Sequence, residues 1–208
     1  MSGKSLRHTL EREGIRSSAV LGAIERVPRE LFVPEELRER AYVNAPLPIG
    51  EGQTISQPYT VAAMLELAEV GPGKRVLEVG AGSGYAAACI AEAVGDSGTV
   101  VGVEVRAHLA EQARRNLRRA GYDHVKIVQG DGRKGYEADA PYDAIVVSAE
   151  AAEFPEKLGS QLAEEGCLVV PVRAGFAAIM QRVVRKGEDL ERSEHGAFSF
   201  VPLVAPRE

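Results

Sequence analysis

Residues 75–85 read RVLEVGAGSGY, an apolar strand pattern that runs straight into Gly80, Gly82 and Gly84. Val76, Leu77 and Val79 suit a strand buried on both faces, and the glycines let the backbone turn tightly and approach a ligand that a Cβ would obstruct. A helix over residues 85–94 should follow. The ligand site then lies at the carboxyl end of a first strand, where open α/β sheets bind their ligands.

The spacing bears on which ligand this is. A dinucleotide fingerprint requires G-x-G-x-x-G, and this chain has E-x-G-x-G-x-G with Tyr85 after the last glycine. Glu78, two residues before Gly80, would repel a pyrophosphate but suits a cation. S-adenosylmethionine offers both a sulfonium and an α-ammonium group.

Residues 99–105, TVVGVEV, read as a second buried strand. Glu104 stands at its end, twenty residues past Gly84, in the register where an acid accepts from both ribose hydroxyls. A third strand over 125–128 ends in Gly130, Asp131 and Gly132. Asp131 there can serve as a turn former or can accept from an adenine amino group. Three strand ends thus converge on one nucleoside.

A chain of 208 residues with 45% hydrophobic and 26% charged residues buries a core of ordinary globular size. The net charge of −5 gives no electrostatic case for nucleic acid as a partner. Arg114, Arg115, Arg118 and Arg119 share an amphipathic helix with Leu109, Ala113 and Leu117 and read as its solvated face. Cys89 and Cys167 read as small buried apolar groups. The first residues, MSGKSLRHTLEREG, carry no signal-peptide pattern, and no apolar run approaches the ~18 residues of a membrane span, so a soluble, cytoplasmic protein is expected.

Periodicity predicts short helices over 5–13 and 18–27, the second with an apolar stripe of Val20, Leu21 and Ile24, packed as an N-terminal cap. Residues 41–58, rich in proline and glycine, read as a long ordered loop. A helix over 59–67 leads into the first strand. Further on come a strand over 142–147, a helix around 155–162 and a strand over 167–172. Two more β segments, 178–185 and 198–204, are expected on either side of a polar stretch over 186–196.

Carried over nearly the whole length, several motifs make the chain resemble the protein-L-isoaspartate O-methyltransferases. They are VPRELFV at 27–33, LPIG at 47–50, GQTISQPY at 52–59, the glycine loop at 78–85, GDG at 130–132, PYDAI at 141–145, VVPV at 169–172 and FVPLV at 200–204. The resemblance implies a Rossmann-like class I methyltransferase sheet, mostly parallel, with an N-terminal helical cap and C-terminal β segments. A single domain over 1–208 is expected: N-terminal helices and an active-site loop (1–57), a cofactor-binding core (58–172) and C-terminal β segments (173–208).

Family membership would imply methyl transfer from S-adenosylmethionine to the α-carboxylate of L-isoaspartyl residues in damaged proteins and peptides. The resulting ester cyclises to a succinimide, and its hydrolysis recovers aspartate. An α-carboxylate with an unperturbed pKa of roughly 3.5 is already ionised at neutral pH, so no general base is required. Positioning at near-attack distance can contribute on the order of 7 kcal/mol. Ser56 matches the family's active-site serine, an orienting group in this reading; as an alternative it caps the helix beginning near Pro58. The cofactor contacts implied are Thr54, Glu78, Gly80, Gly82, Ser83, Gly84, Glu104, Asp131 and Gly132. No metal, no membrane and no nucleic-acid partner is expected, and the oligomeric state expected is a monomer.

Departures from the family's pattern occur at Ser148-Ala149-Glu150, Arg133 and Arg173. Glu150 raises two possibilities: an acid near the carboxylate-binding region that repels substrate, or a side chain turned to solvent. A nucleic-acid amine methyltransferase would need Asp or Asn with Pro-Pro-aromatic after the fourth strand, where this chain has Val147, Ser148, Ala149 and Glu150. A cofactor-binding module without catalysis is the other rival, and methyl transfer to an isoaspartyl peptide separates the two.

Overall fold

Two helices open the chain in the computed structural model, which describes residues 3–206: α1 (Gly3–Arg12) and α2 (Ser18–Arg26). Ser17 caps α2 by accepting from Val20 N at 3.3 Å. Val20, Leu21 and Ile24 are buried, as the stripe predicts. After 3-10 turns at Arg29–Phe32 and Glu35–Arg40, the loop over 41–58 contains a hairpin that the sequence does not announce, β1 (Leu47–Gly50) with β2 (Gln53–Ile55). Next comes α3 (Pro58–Leu67), whose Glu66 carboxylate accepts from Arg16 N and Ser17 N and so docks the N-terminal cap on the core.

The alternation then runs β3 (Arg75–Val79), α4 (Tyr85–Val94), β4 (Thr99–Glu104), α5 (Ala107–Arg119), β5 (Lys126–Gln129), β6 (Tyr142–Val147), the short α6 (Glu156–Gly159) and β7 (Leu162–Ala174). Two antiparallel strands close it, β8 (Ala177–Lys186) and β9 (Asp189–Phe198). The seven strands lie in the order β5-β4-β3-β6-β7-β8-β9, parallel from β5 to β7. This is the Rossmann-like sheet expected. The strand order reverses beside β3, which puts the glycine turn at the switch point.

Burial on both faces explains why the central strands carry continuous apolar runs. Val76, Val100, Val146 and Val169 pack on the side of α1 to α4. Their neighbours Leu77, Val101, Val147 and Val170 pack on the opposite face. Each fully buried aliphatic side chain contributes about 1.5–3 kcal/mol. The same alternation carries Glu78, in register with Gly102 and Val146, into the first face, where it is only 1% exposed. Cys89 and Cys167 are free and buried as expected, and burial raises their thiols to about 12 and about 11.

Three expectations are corrected. The polar stretch over 186–196 is not a separator: most of it is β9, an edge strand exposed on both faces whose backbone pairing with β8 needs no apolar alternation. Residues 199–204 form no strand beyond Phe198. Pro202 makes one isolated bridge to Glu150 instead, because the sheet edge is already taken by β9. The helix around 155–162 also shrinks to α6, since Leu162 already belongs to β7. Among the described residues, no helix is long and apolar enough to cross a membrane.

Candidate active site

A continuous cleft opens at the carboxyl ends of β3, β4 and β6. Its inner part, about 460 Å³, is bounded by Glu78, Gly80, Ser83, Tyr85 and Ser148 on the core side and by Thr54, Ile55 and Ser56 from the hairpin segment. A second part, about 530 Å³, runs along Glu104, Arg106, Gly132 and the tail residues Val201 to Val204. An outer groove of about 1460 Å³ lies between Ser56, Gln57 and Tyr59 on one side and His195, Phe198 and Phe200 on the other. Thr54 and Ser148 line all three parts, and Ser56 stands where the inner part meets the outer groove.

Glu78 forms part of the inner wall. Its Oε1 accepts from Ser148 Oγ at 3.1 Å, while Oε2 is buried and, among the described residues, has no partner. Burial pushes this carboxyl up to about 8, opposed by the Ser148 hydroxyl and reinforced by the charge of Glu104. A buried acid with an orphaned oxygen suits a cationic ligand. Above it Gly80 adopts φ +86, which an L side chain rarely does, and a Cβ at Gly82 would come within 3.3 Å of Ile49 Cδ1. The backbone itself therefore forms the wall a ligand meets.

Glu104, at the end of β4, is 5% exposed. Its Oε2 accepts from Gly82 N at 2.8 Å and its Oε1 from Arg106 N at 3.0 Å. Each oxygen keeps a further lone pair for a ligand hydroxyl. Two carboxylates, a glycine turn and a mostly apolar tail thus fit a nucleoside carrying a positively charged side arm, which is the chemistry of S-adenosylmethionine. Among the described residues no group of three His, Cys, Asp or Glu side chains could hold a metal ion.

Most of the site residues read from the sequence meet in this cleft: Thr54, Ser56, Glu78, Gly80, Gly82, Ser83, Glu104 and Gly132. Two do not line it. Gly84 is the N-cap of α4, and its Cα faces α5, where a Cβ would lie 3.2 Å from Leu117 Cγ and 3.3 Å from Ala113 Cβ. Asp131 caps the 3-10 turn Gly132–Lys134, accepting from Arg133 N, and takes the Arg133 guanidinium on both oxygens at 2.9 and 2.7 Å. Those hydrogen bonds hold its carboxyl below the usual carboxylate range. The turn-forming role is present there.

Ser56 does not cap α3. The N-cap is Gln57, without a side-chain cap bond, and among the described residues the Ser56 hydroxyl makes no hydrogen bond. Sequence reading passed over Ser148 as a site residue, although it stands directly after an apolar strand. It also passed over Arg106, Tyr59 and His195, which carry no spacing signal.

The family model described as protein-L-isoaspartate(D-aspartate) O-methyltransferase matches residues 1–208. The chain is 52% identical over 195 residues to the protein-L-isoaspartate O-methyltransferase of Methanopyrus kandleri, covering 91% of this chain and 85% of that one. It is 48% identical to protein-L-isoaspartate O-methyltransferase 2 of Archaeoglobus fulgidus, covering 95% and 90%. Among solved structures, a candidate protein-L-isoaspartate O-methyltransferase of Plasmodium falciparum, crystallised with S-adenosyl-L-homocysteine, superposes with a TM-score of 0.86. It is 28% identical, with 98% of this chain and 99% of that one covered.

Proposed function

The chain belongs to the protein-L-isoaspartate O-methyltransferase family, an S-adenosylmethionine-dependent enzyme of protein repair that methylates isoaspartyl residues, and from this premise we propose which residues carry the reaction. Glu78 faces the cationic arm of the cofactor, Gly80, Gly82 and Ser83 present backbone to it, and Glu104 accepts from the ribose hydroxyls. Gly132 closes the adenine end on the turn that Asp131 caps, Thr54 covers the cofactor from the hairpin, and Gly84 acts indirectly by seating α4 on α5. When bound, the cofactor supplies a methyl group activated on a sulfonium.

The reading of the acceptor side is carried by one observation, the Ser56 hydroxyl, unbonded among the described residues, at the junction of the inner cavity and the outer groove. Ser56 donates to the α-carboxylate of the isoaspartyl residue and holds its nucleophilic oxygen toward the inner cavity. No base is needed, because a peptide α-carboxylate with a pKa of roughly 3.5 is ionised at neutral pH. The outer groove, with Tyr59, Phe198 and Phe200, takes the peptide chain on either side. An isoaspartyl unit carries one more backbone methylene than aspartyl, and a site that grips both carboxylate and chain discriminates between them.

Residues 1–208 work as one unit in this reading, with 1–57 supplying the acceptor-side loop, 58–172 the cofactor core and 173–208 the outer wall. The enzyme acts as a cytoplasmic monomer. Two free cysteines suit a reducing compartment, and among the described residues Val43, Phe176 and Val204 alone are exposed large hydrophobics. Methyl transfer measured side by side on an isoaspartyl peptide and its aspartyl isomer tests the assignment. Transfer to the isoaspartyl form alone is expected, and equal methylation of both would refute it.

A further inference from the structure

Arg29 is the bulkiest of the wholly buried side chains, at 0% exposed. Among the described residues no carboxylate pairs with it, and its Nη1 has no partner. A guanidinium kept this deep is costly, and a well-packed apolar side chain would fill the same space at less cost. What the fork does hold is backbone. Its Nε donates to Ala41 O at 2.7 Å, its Nη2 donates to Ser56 O at 2.8 Å, and its Cζ stacks 4.5 Å from the ring centroid of Tyr85. Burial draws the guanidinium pKa down, opposed by Tyr85 and Cys89.

These contacts join three separate pieces of chain at one buried group. Ala41 ends the 3-10 turn of the N-terminal cap, Ser56 lies between β2 and α3, and Tyr85 begins α4 directly after the glycine turn. Ser56 and Tyr85 both line the inner cavity. We propose that Arg29 is a positioning residue for methyl transfer: by gripping the Ser56 carbonyl while stacked on Tyr85, it sets the Ser56 hydroxyl at a fixed place relative to the cofactor loop. This rests on the reading of Ser56 as the group that orients the acceptor. Lysine cannot substitute, because an ammonium lacks the planar fork that reaches two carbonyls while lying flat on a ring.

The test compares the native enzyme, R29K, S56A and R29K/S56A, each measured for single-turnover methyl transfer to an isoaspartyl peptide at saturating cofactor, for cofactor affinity and for thermal unfolding. R29K should slow transfer roughly tenfold to a hundredfold, the scale of a misplacement of about 1 Å, with cofactor affinity within a few-fold. In the S56A background the same change should slow transfer no further, while its effect on unfolding stays the same, since the Ser56 carbonyl is present in both. An equal slowing in both backgrounds, or a loss that only tracks the unfolded fraction, overturns the proposal. A native rate in S56A would instead overturn the reading of Ser56, and this proposal with it. If R29K does not fold, R29Q, whose amide can still donate to one carbonyl, carries the same comparison.

Discussion

Arg173 donates through Nε to Oε1 of Glu150, so two positions at which the chain departs from its family's pattern neutralise each other. The solvent-turned alternative raised by the sequence does not hold. Glu150 is turned away from solvent, its side chain 14% exposed, and it brings its own counter-ion. Its backbone is also a clasp, since Glu150 N donates to Val201 O at 2.8 Å and Leu203 N donates to Glu150 O at 2.7 Å, which holds the tail against the cofactor cleft. The third departure behaves alike, Arg133 lying bidentate on Asp131.

Coupling of this kind shows in a double-mutant cycle. Arg173→Gly strands a largely buried carboxylate and should cost about 1 kcal/mol of stability and raise KM for the peptide. Removing the acid as well, in Glu150→Ala with Arg173→Gly, should restore both to near the native values. Denaturant unfolding and peptide kinetics on the four proteins decide it, and strictly additive effects would mean that the pair does nothing.

Glu78 makes the apoprotein sensitive to pH in an unusual direction. Its carboxyl is raised from 4.5 to about 8, so between these values the native state keeps a proton that the unfolded chain has lost. This contribution to stability is complete below pH 4.5 and disappears as pH rises toward 8. The apoprotein should lose stability over that window, and Glu78→Gln should flatten the loss. A cationic ligand favours the ionised acid, so cofactor binding near neutral pH should release a proton. Calorimetry in buffers of different ionisation enthalpy reads this release, which Glu78→Gln should abolish.

Glu104 does two jobs that one substitution can separate. Glu104→Ala removes the proposed ribose acceptor together with the partner of Gly82 N and Arg106 N, and should weaken S-adenosylmethionine binding roughly tenfold to a hundredfold. Glu104→Gln keeps one acceptor oxygen and should weaken it less. Unchanged affinity in the alanine variant would remove Glu104 from the cofactor site.

Much of this was legible in the sequence because of where burial falls. The central strands are covered on both faces, so their apolar runs and the glycines that end them survive as a readable pattern, and α4 runs from Tyr85 to Val94 as the pattern predicts. β9 was illegible for the opposite reason, because an exposed edge strand is held by backbone pairing and leaves no apolar alternation to read. Contacts between distant residues were equally hidden. Nothing in the order of residues announces that Arg173 meets Glu150 or that Arg29 reaches Ser56. Local spacing also left Ser56 ambiguous, and the cap on α3 falling to Gln57 removes the capping alternative.

Gly84 should prove structural. Its φ of +88 and the closeness of Ala113 and Leu117 mean that Gly84→Ala strains the backbone and pushes α4 from α5. A loss of about 1–3 kcal/mol in unfolding free energy is expected. Cofactor affinity of the folded fraction should stay within a few-fold of native. A specific loss of affinity without a loss of stability would return Gly84 to the ligand contacts.

Ser56→Ala separates chemistry from folding more cleanly than the sequence suggested. A serine that capped α3 would cost about 0.5–2 kcal/mol when replaced by alanine. Here the hydroxyl bonds to nothing among the described residues and α3 is capped at Gln57, so thermal unfolding should be nearly unchanged. Single-turnover methyl transfer should nevertheless fall strongly, with S-adenosylmethionine affinity within a few-fold, because an orienting hydrogen bond to the acceptor acts on the transition state and not on cofactor binding. A destabilised variant that transfers methyl at the native rate would make Ser56 a structural residue and leave the acceptor carboxylate to be held by Thr54 or Ser148, the two other hydroxyls that line the same junction.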